Sequence, residues 1–145
     1  MDNFVSILQG SEAALIMTPV NRRYLTGFES SLGYLFITGK GATLLVDGRY
    51  ILAAKQAVKS AEVVLLENSS KQLKALCSNS GIKRVLLESC ISVARFKSFS
   101  EIFEGVECAA DGRVEKSISE LRKVKSTEET EFIVSAQRIA EKAFY

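Results

Sequence analysis

The chain has 145 residues, 47% of them hydrophobic and 25% charged, which sets it among globular domains and makes one folded unit the default. Its formal net charge is +2, from 19 basic against 17 acidic residues, and the basic residues are scattered rather than gathered in a stripe, so charge leaves no footprint for nucleic acid. There is no histidine, which excludes Ser-His-Asp and Cys-His catalysis, H-E-x-x-H chemistry and the common zinc sites.

Along the chain, the N-terminus "MDNFVSILQG" lacks a basic region followed by a long apolar one, and no later run reaches the ~18 apolar residues of a membrane span. The expectation is a cytoplasmic protein with no membrane segment. Strand-length apolar runs follow at 13–17, 34–38, 42–46, 61–67, 84–88 and 106–110. After the first, Pro19 suits the first turn of a short helix through "VNRRYLT". The second and third runs are joined only by "GKG" at 39–41, a hairpin length. Next, "RYILAAKQAV" puts Ile51, Ala54 and Val58 on one helical face, and "SKQLKALCS" does the same for Leu73, Leu76 and Cys77. Alternating strands and helices predict an α/β fold with a mixed, mostly parallel sheet of about six strands, one β-hairpin and helices on both faces. The three cysteines, Cys77, Cys90 and Cys108, show no C-x-x-C spacing and are expected as small core residues.

From Glu115 the composition changes to a charged stretch, "EKSISELRKVKS", expected as a linker, and then to a helix. Ser126 with Glu129 makes a capping box, and Phe132, Ile133, Ala136, Ile139, Ala140, Ala143 and Phe144 recur on one helical face up to Tyr145. The expected organisation is an α/β domain over 1–114 and, over 115–145, a linker and first helix leading into a further domain.

Two stretches invite chemistry. "GKGAT" is not a phosphate loop, because Tyr34 stands where the first glycine is required and Gly41 where Ser or Thr should follow the lysine. Asp47, Glu67, Glu88 and Asp111 each end a strand-like run, at the edge where open α/β sheets bind ligands. Convergent carboxylates there would hold Mg²⁺, and Asp47, Glu67 and Glu88 would then make a free-standing enzyme; the other reading is that they favour the N-termini of following helices, and a non-catalytic interaction module is a further alternative. In "DGRY", Asp47 is expected to pair with Arg49 while Tyr50 opens a helix.

The stretch "NRRYLTGFESSLGY" at 21–34, taken with "LLVDGRY" and the tail "LRKVKSTEETEFIVSAQRIAEKAFY", resembles the N-terminal domain of the creatinase/prolidase/aminopeptidase P family. The resemblance covers nearly the whole chain. It implies a ribonuclease H-like α/β motif in a protein whose absent C-terminal domain hydrolyses Xaa-Pro bonds with two divalent metal ions, Mn²⁺ or Co²⁺. This chain would then hold no catalytic residue and no metal, and its partners would be its own C-terminal catalytic domain, a second copy in a homodimer and, for the whole protein, proline-containing peptides. The resemblance also assigns the loop Phe28, Glu29, Ser30, Ser31 and Leu32 to substrate access; by their own position in the chain, Arg22, Arg23 and Tyr24 on the preceding helix and Asp47, Arg49 and Tyr50 at the turn are expected in structural or interface roles. In that family the loop reads closer to Gly-Phe-x-Gly-Ser-x-Gly, whereas here Ser30 stands at the second glycine and Leu32 at a position that is often small. A positive φ at that glycine would strain Ser30, so either strain or another loop shape is expected.

Overall fold

The computed structural model describes residues 2–144. In chain order the elements are α1 (Asp2–Val5), β1 (Glu12–Ile16), α2 (Pro19–Thr26), β2 (Gly33–Thr38), β3 (Gly41–Val46), α3 (Ile51–Ala57), β4 (Glu62–Leu65), α4 (Ser69–Ser80), β5 (Arg84–Leu87), α5 (Val93–Ile102), β6 (Glu107–Ala109), α6 (Arg113–Lys123) and α7 (Thr127–Phe144). One six-stranded sheet has the order β4-β3-β2-β1-β5-β6. β2 runs antiparallel to both its neighbours, while β3 with β4, β1 with β5 and β5 with β6 are parallel, so β2 alone opposes the common strand direction.

Strand periodicity sorts the core into two layers. Ala14, Ile16, Leu35, Ile37, Leu44 and Val46 face one side and meet Phe4, Leu25, Ala54, Val114 and Ile118 from α1, α2, α3 and α6. Ala13, Leu15, Phe36, Leu45, Val85 and Leu87 face the other and meet Leu73, Cys77 and Phe99 from α4 and α5, together with Phe103 just beyond α5. The connection β3-α3-β4 travels outward in one direction and β5-α5-β6 in the other. Right-handed crossovers in opposite directions require helices on opposite faces, and α3 and α5 lie in opposite layers. The expected fold class is the one observed.

Three local expectations are corrected. The hairpin turn is Gly39-Lys40 rather than 39–41, because Thr38 still pairs with Gly41. Thr38 Oγ1 closes the turn, accepting from the Lys40 N–H at 3.2 Å and donating to the Gly41 carbonyl at 3.1 Å. The charged stretch from Glu115 is not an extended linker but most of α6, because Val114 and Ile118, one helical turn apart, bury into the first layer. Cys90 is exposed, lying in the turn after β5, whereas Cys77 is buried and Cys108 half-buried.

α7 has the expected capping box: the Ser126 N–H donates to Glu129 Oε2 at 2.8 Å and the Glu129 N–H to Ser126 Oγ at 3.1 Å. None of its described residues is buried, and Phe132, Ile133, Val134, Ile139 and Phe144 are exposed.

Candidate functional site

The loop between α2 and β2 lies at the edge where the five co-directional strands end. Its first residue, Gly27, caps α2 at φ 72°, a left-handed conformation that glycine adopts without a Cβ clash, and its N–H reaches the Arg23 carbonyl at 2.7 Å. Its last, Gly33, enters the sheet where a Cβ would come within 2.5 Å of the Leu45 carbonyl oxygen, so only glycine lets β2 and β3 approach there. Between them no non-glycine residue has a positive φ, and Ser30 is therefore free of the strain a glycine replacement could have imposed. The loop takes another shape, with Ser30 turned inward and buried.

Ser30 is held there by Arg22. This arginine is only 2% exposed; its guanidinium donates to the Ser30 carbonyl at 2.7 Å, to Ser30 Oγ at 3.4 Å and to the Met17 carbonyl. Burial lowers its pKa, and the nearby Glu88 carboxylate opposes that shift. Glu88, wholly buried, accepts from the Met17 N–H at 2.6 Å, the Thr18 N–H at 2.8 Å, and Thr18 Oγ1 and Asn21 Nδ2, each at 2.6 Å. Its carboxylate stands at the N-terminus of α2, where the helix leaves N–H groups unpaired and the dipole favours negative charge.

The outer side of the loop is tied to the turn after β3. Arg49 makes three hydrogen bonds to the Asp47 carboxylate, one from its backbone N–H and two from its guanidinium, the shortest at 2.7 Å. The Arg49 guanidinium also reaches Ser31 Oγ at 3.2 Å, and the Tyr50 hydroxyl reaches the same oxygen at 3.2 Å. Hydrogen bonding from Arg49 holds the Asp47 carboxyl below its ordinary range, and Asp47 raises Arg49 in turn. Phe28 meets Tyr50 edge-on, with ring centroids 6.3 Å apart. Glu29 is exposed and pairs with Arg23 at 3.0 Å, while Leu32 is 47% exposed. Tyr24 packs against the same core layer as Phe28 and Tyr50, with the Arg122 guanidinium over its ring, 5.9 Å from the ring centre.

The residues singled out in 21–34 and 47–50 therefore form one surface, with Arg22 inside it and Tyr24 beside it. The four strand-end carboxylates do not come together. In the strand order, Glu67 after β4 and Glu88 after β5 are four strand spacings apart, roughly 19 Å at about 4.8 Å per strand, and Asp111 after β6 lies one strand further still. Glu88 is used by four donors, Asp47 by Arg49, and Asp111 by Arg113 and Arg84. Among the described residues no group of three or more His, Cys, Asp or Glu side chains is placed to hold a metal ion. The Mg²⁺ reading fails on this spacing. Nor does the donor set fit a pair of divalent metals, since the chain has no histidine and three of the four carboxylates, Asp47, Glu88 and Asp111, are held by other partners.

Sequence reasoning named Ser31 and Glu88 but missed Thr18 and Asn21 as the partners that occupy Glu88. The partners of Glu88 lie 67 to 71 residues away in the chain, and no local pattern signals such a contact.

The chain is similar to known proteins in sequence and in fold. The family model described as the creatinase/prolidase N-terminal domain matches residues 8–124. The chain belongs to that family. An uncharacterised peptidase of Bacillus subtilis, YqhT, is 34% identical over 137 residues, which cover 93% of this chain and 38% of that protein. Among solved structures, the prolidase of Pyrococcus horikoshii superposes with a TM-score of 0.84 at 27% identity, over 99% of this chain and 40% of that one. The N-terminal domain of the cytoplasmic peptidase PepQ of Mycobacterium tuberculosis superposes with a TM-score of 0.70 at 27% identity, over 80% of this chain and 95% of that one. The chain thus spans well under half the length of the curated relatives it matches.

Proposed function

We propose that the chain is the non-catalytic N-terminal domain of a longer Xaa-Pro metallopeptidase, acting on access to the active site and on assembly while the rest of the protein hydrolyses bonds that precede proline. The observation carrying this reading is coverage: 93% of the chain aligns with only 38% of a related peptidase. The absence of histidine and the engagement of Asp47, Glu88 and Asp111 by other partners agree with the ligands of two Mn²⁺ or Co²⁺ ions lying beyond this chain. The uncovered apolar stripe of α7 suits a helix that continues into the catalytic domain.

In the assembled parent, a cytoplasmic homodimer in this reading, the loop 28–32 borders the active site, that of the neighbouring subunit. Phe28 and Leu32 offer apolar surface to a proline ring. Glu29 meets the substrate ammonium by leaving its exposed pair with Arg23, which solvent already weakens. No described helix is long and apolar enough to cross a membrane.

The test compares this chain with the full-length parent. The parent is expected to hydrolyse Xaa-Pro dipeptides with added Mn²⁺, and this chain alone to do neither that nor bind Mn²⁺ at micromolar concentration by calorimetry. Cleavage by the chain alone, or a parent inactive on every Xaa-Pro peptide, would overturn the reading.

A further inference from the structure

We propose that Glu88 is a positioning residue for the loop 28–32, acting through Arg22 across the peptide units at Met17; this rests on the access role given to that loop above. The two buried side chains grip the same short segment from opposite ends. Glu88 takes the N–H of Met17 and, one residue on, the N–H and hydroxyl of Thr18, and its fourth donor is Asn21 on the first turn of α2. Arg22, the next residue in that helix, donates to the carbonyl of the same Met17 and to the carbonyl of Ser30.

The path from Glu88 to the loop therefore has few steps, each a hydrogen bond or a turn of helix. Glu88 fixes where β1 ends and how α2 leaves it, α2 fixes where Arg22 begins, and Arg22 fixes Ser30. A buried guanidinium with its partners displaced has nowhere favourable to go, so a shift of α2 is passed to Ser30 rather than absorbed at Arg22. Ser30 lies between the two outward-facing groups of the loop, Glu29 and Ser31, so its seating sets the direction of both. The carboxylate is needed for more than charge. A Gln at 88 keeps one acceptor oxygen for the Met17 and Thr18 N–H groups, loses the charge that strengthens all four bonds, and turns an amide NH₂ toward Thr18 Oγ1 and Asn21, which must both reverse from donor to acceptor to meet it.

The experiment has two arms. In this chain, hydrogen exchange of the Gly27 and Phe28 amides, which bond the Arg23 carbonyl and Thr26 Oγ1, is compared between wild type and Glu88→Gln, with the Leu66 amide on the Val46 carbonyl as internal reference. Faster exchange at 27 and 28 with Leu66 unchanged is expected; a change confined to 17–21 overturns the proposal. In the full-length parent, Glu88→Gln is expected to raise KM for an Xaa-Pro dipeptide by about three- to tenfold, as for positions that act on a site through intervening residues, with kcat and metal content held. It should add no further KM effect in a Phe28→Ala, Glu29→Ala background. Thr18→Val, which deletes one of the four donors, gives the same direction with smaller size if Glu88→Gln does not fold, and Thr18→Ser restores wild-type values. An unchanged KM in both Glu88→Gln and Thr18→Val, while the Phe28→Ala, Glu29→Ala protein is impaired, overturns the role of Glu88 and leaves the access reading standing. If the loop variant is itself unimpaired, the access reading falls and this proposal with it.

Discussion

Arg49 donates to Ser31 Oγ at 3.2 Å across eighteen residues of chain, and so joins the loop before β2 to the turn after β3. Both contacting side chains are exposed, so the contact contributes little to global stability and acts on local order. Arg49→Ala is expected to speed amide exchange in 28–32 and 47–50 while leaving the thermal midpoint of the chain unchanged. A large fall in the midpoint would show that the turn is a folding element instead.

Glycine at 33 is required by the approach of β2 to β3, while glycine at 39 is not. A Cβ at Gly33 meets a backbone oxygen, which cannot swing away, whereas at Gly39 it meets nothing within 4 Å. Gly33→Ala is expected to lower the denaturation free energy by about 1–3 kcal/mol, the range for overpacking. Gly39→Ala should leave the urea midpoint near that of wild type. Equal midpoints for the two variants would contradict the register assigned to the hairpin.

Glu12 begins β1 and is bracketed by Arg113, at 2.8 and 3.0 Å, and by Arg84 at 3.5 Å. The Arg113 hydrogen bond is the main cause that holds its carboxyl below the ordinary 4.5, against the opposing effect of burial. A depressed folded pKa means stability that is complete above the unfolded value and is lost as pH falls through the folded one. Wild type should therefore lose stability from about pH 4.5 downward, and Glu12→Gln should show a shallower acid slope there. Above that range Glu12→Gln should be less stable by about 1–3 kcal/mol, as for a lost charged hydrogen bond. Parallel pH curves for the two proteins would remove Glu12 from the acid transition.

The thiols should separate by accessibility. Cys77 is buried, and burial pushes its pKa up to about 12, with Cys108 adding to the effect. Cys90 is exposed but also raised, by partial burial and then by the Glu88 and Glu115 carboxylates. At pH 8 a thiol reagent is expected to modify Cys90 first, more slowly than a free thiol, and Cys77 only on unfolding. Rapid labelling of Cys77 in the native protein would contradict the packing of α4 on the sheet.

The fold was legible because its strands are short apolar runs separated by clear turn chemistry, and because one hairpin of strand-turn-strand length broke an otherwise regular alternation. Pro19 at the start of α2 and the Ser126–Glu129 box at the start of α7 are local signals, and both lie where their spacing places them. α6 was misread as a linker because its charged residues outnumber its apolar ones, and the core-facing Val114, Ile118 and Leu121, though spaced as one helical face, are thinly spread among them. The site was legible as two segments but not as one surface. Ser31 meeting Arg49, and Glu88 meeting Thr18 and Asn21, depend on strand order, which decides which loops become neighbours. Strand order is not written in any window of the sequence. For the same reason the carboxylates looked convergent when each was read only as the residue after a strand.

The central claim is that the loop 28–32 serves the active site of a longer Xaa-Pro peptidase, and steady-state kinetics of the full-length parent carrying Phe28→Ala and Glu29→Ala test it most directly. Loss of the apolar wall and the carboxylate is expected to raise KM, or to lower kcat/KM, for Xaa-Pro substrates while metal content and subunit assembly stay at wild-type values. Wild-type kcat and KM in a protein that still assembles would show that the loop is only a connection between α2 and β2.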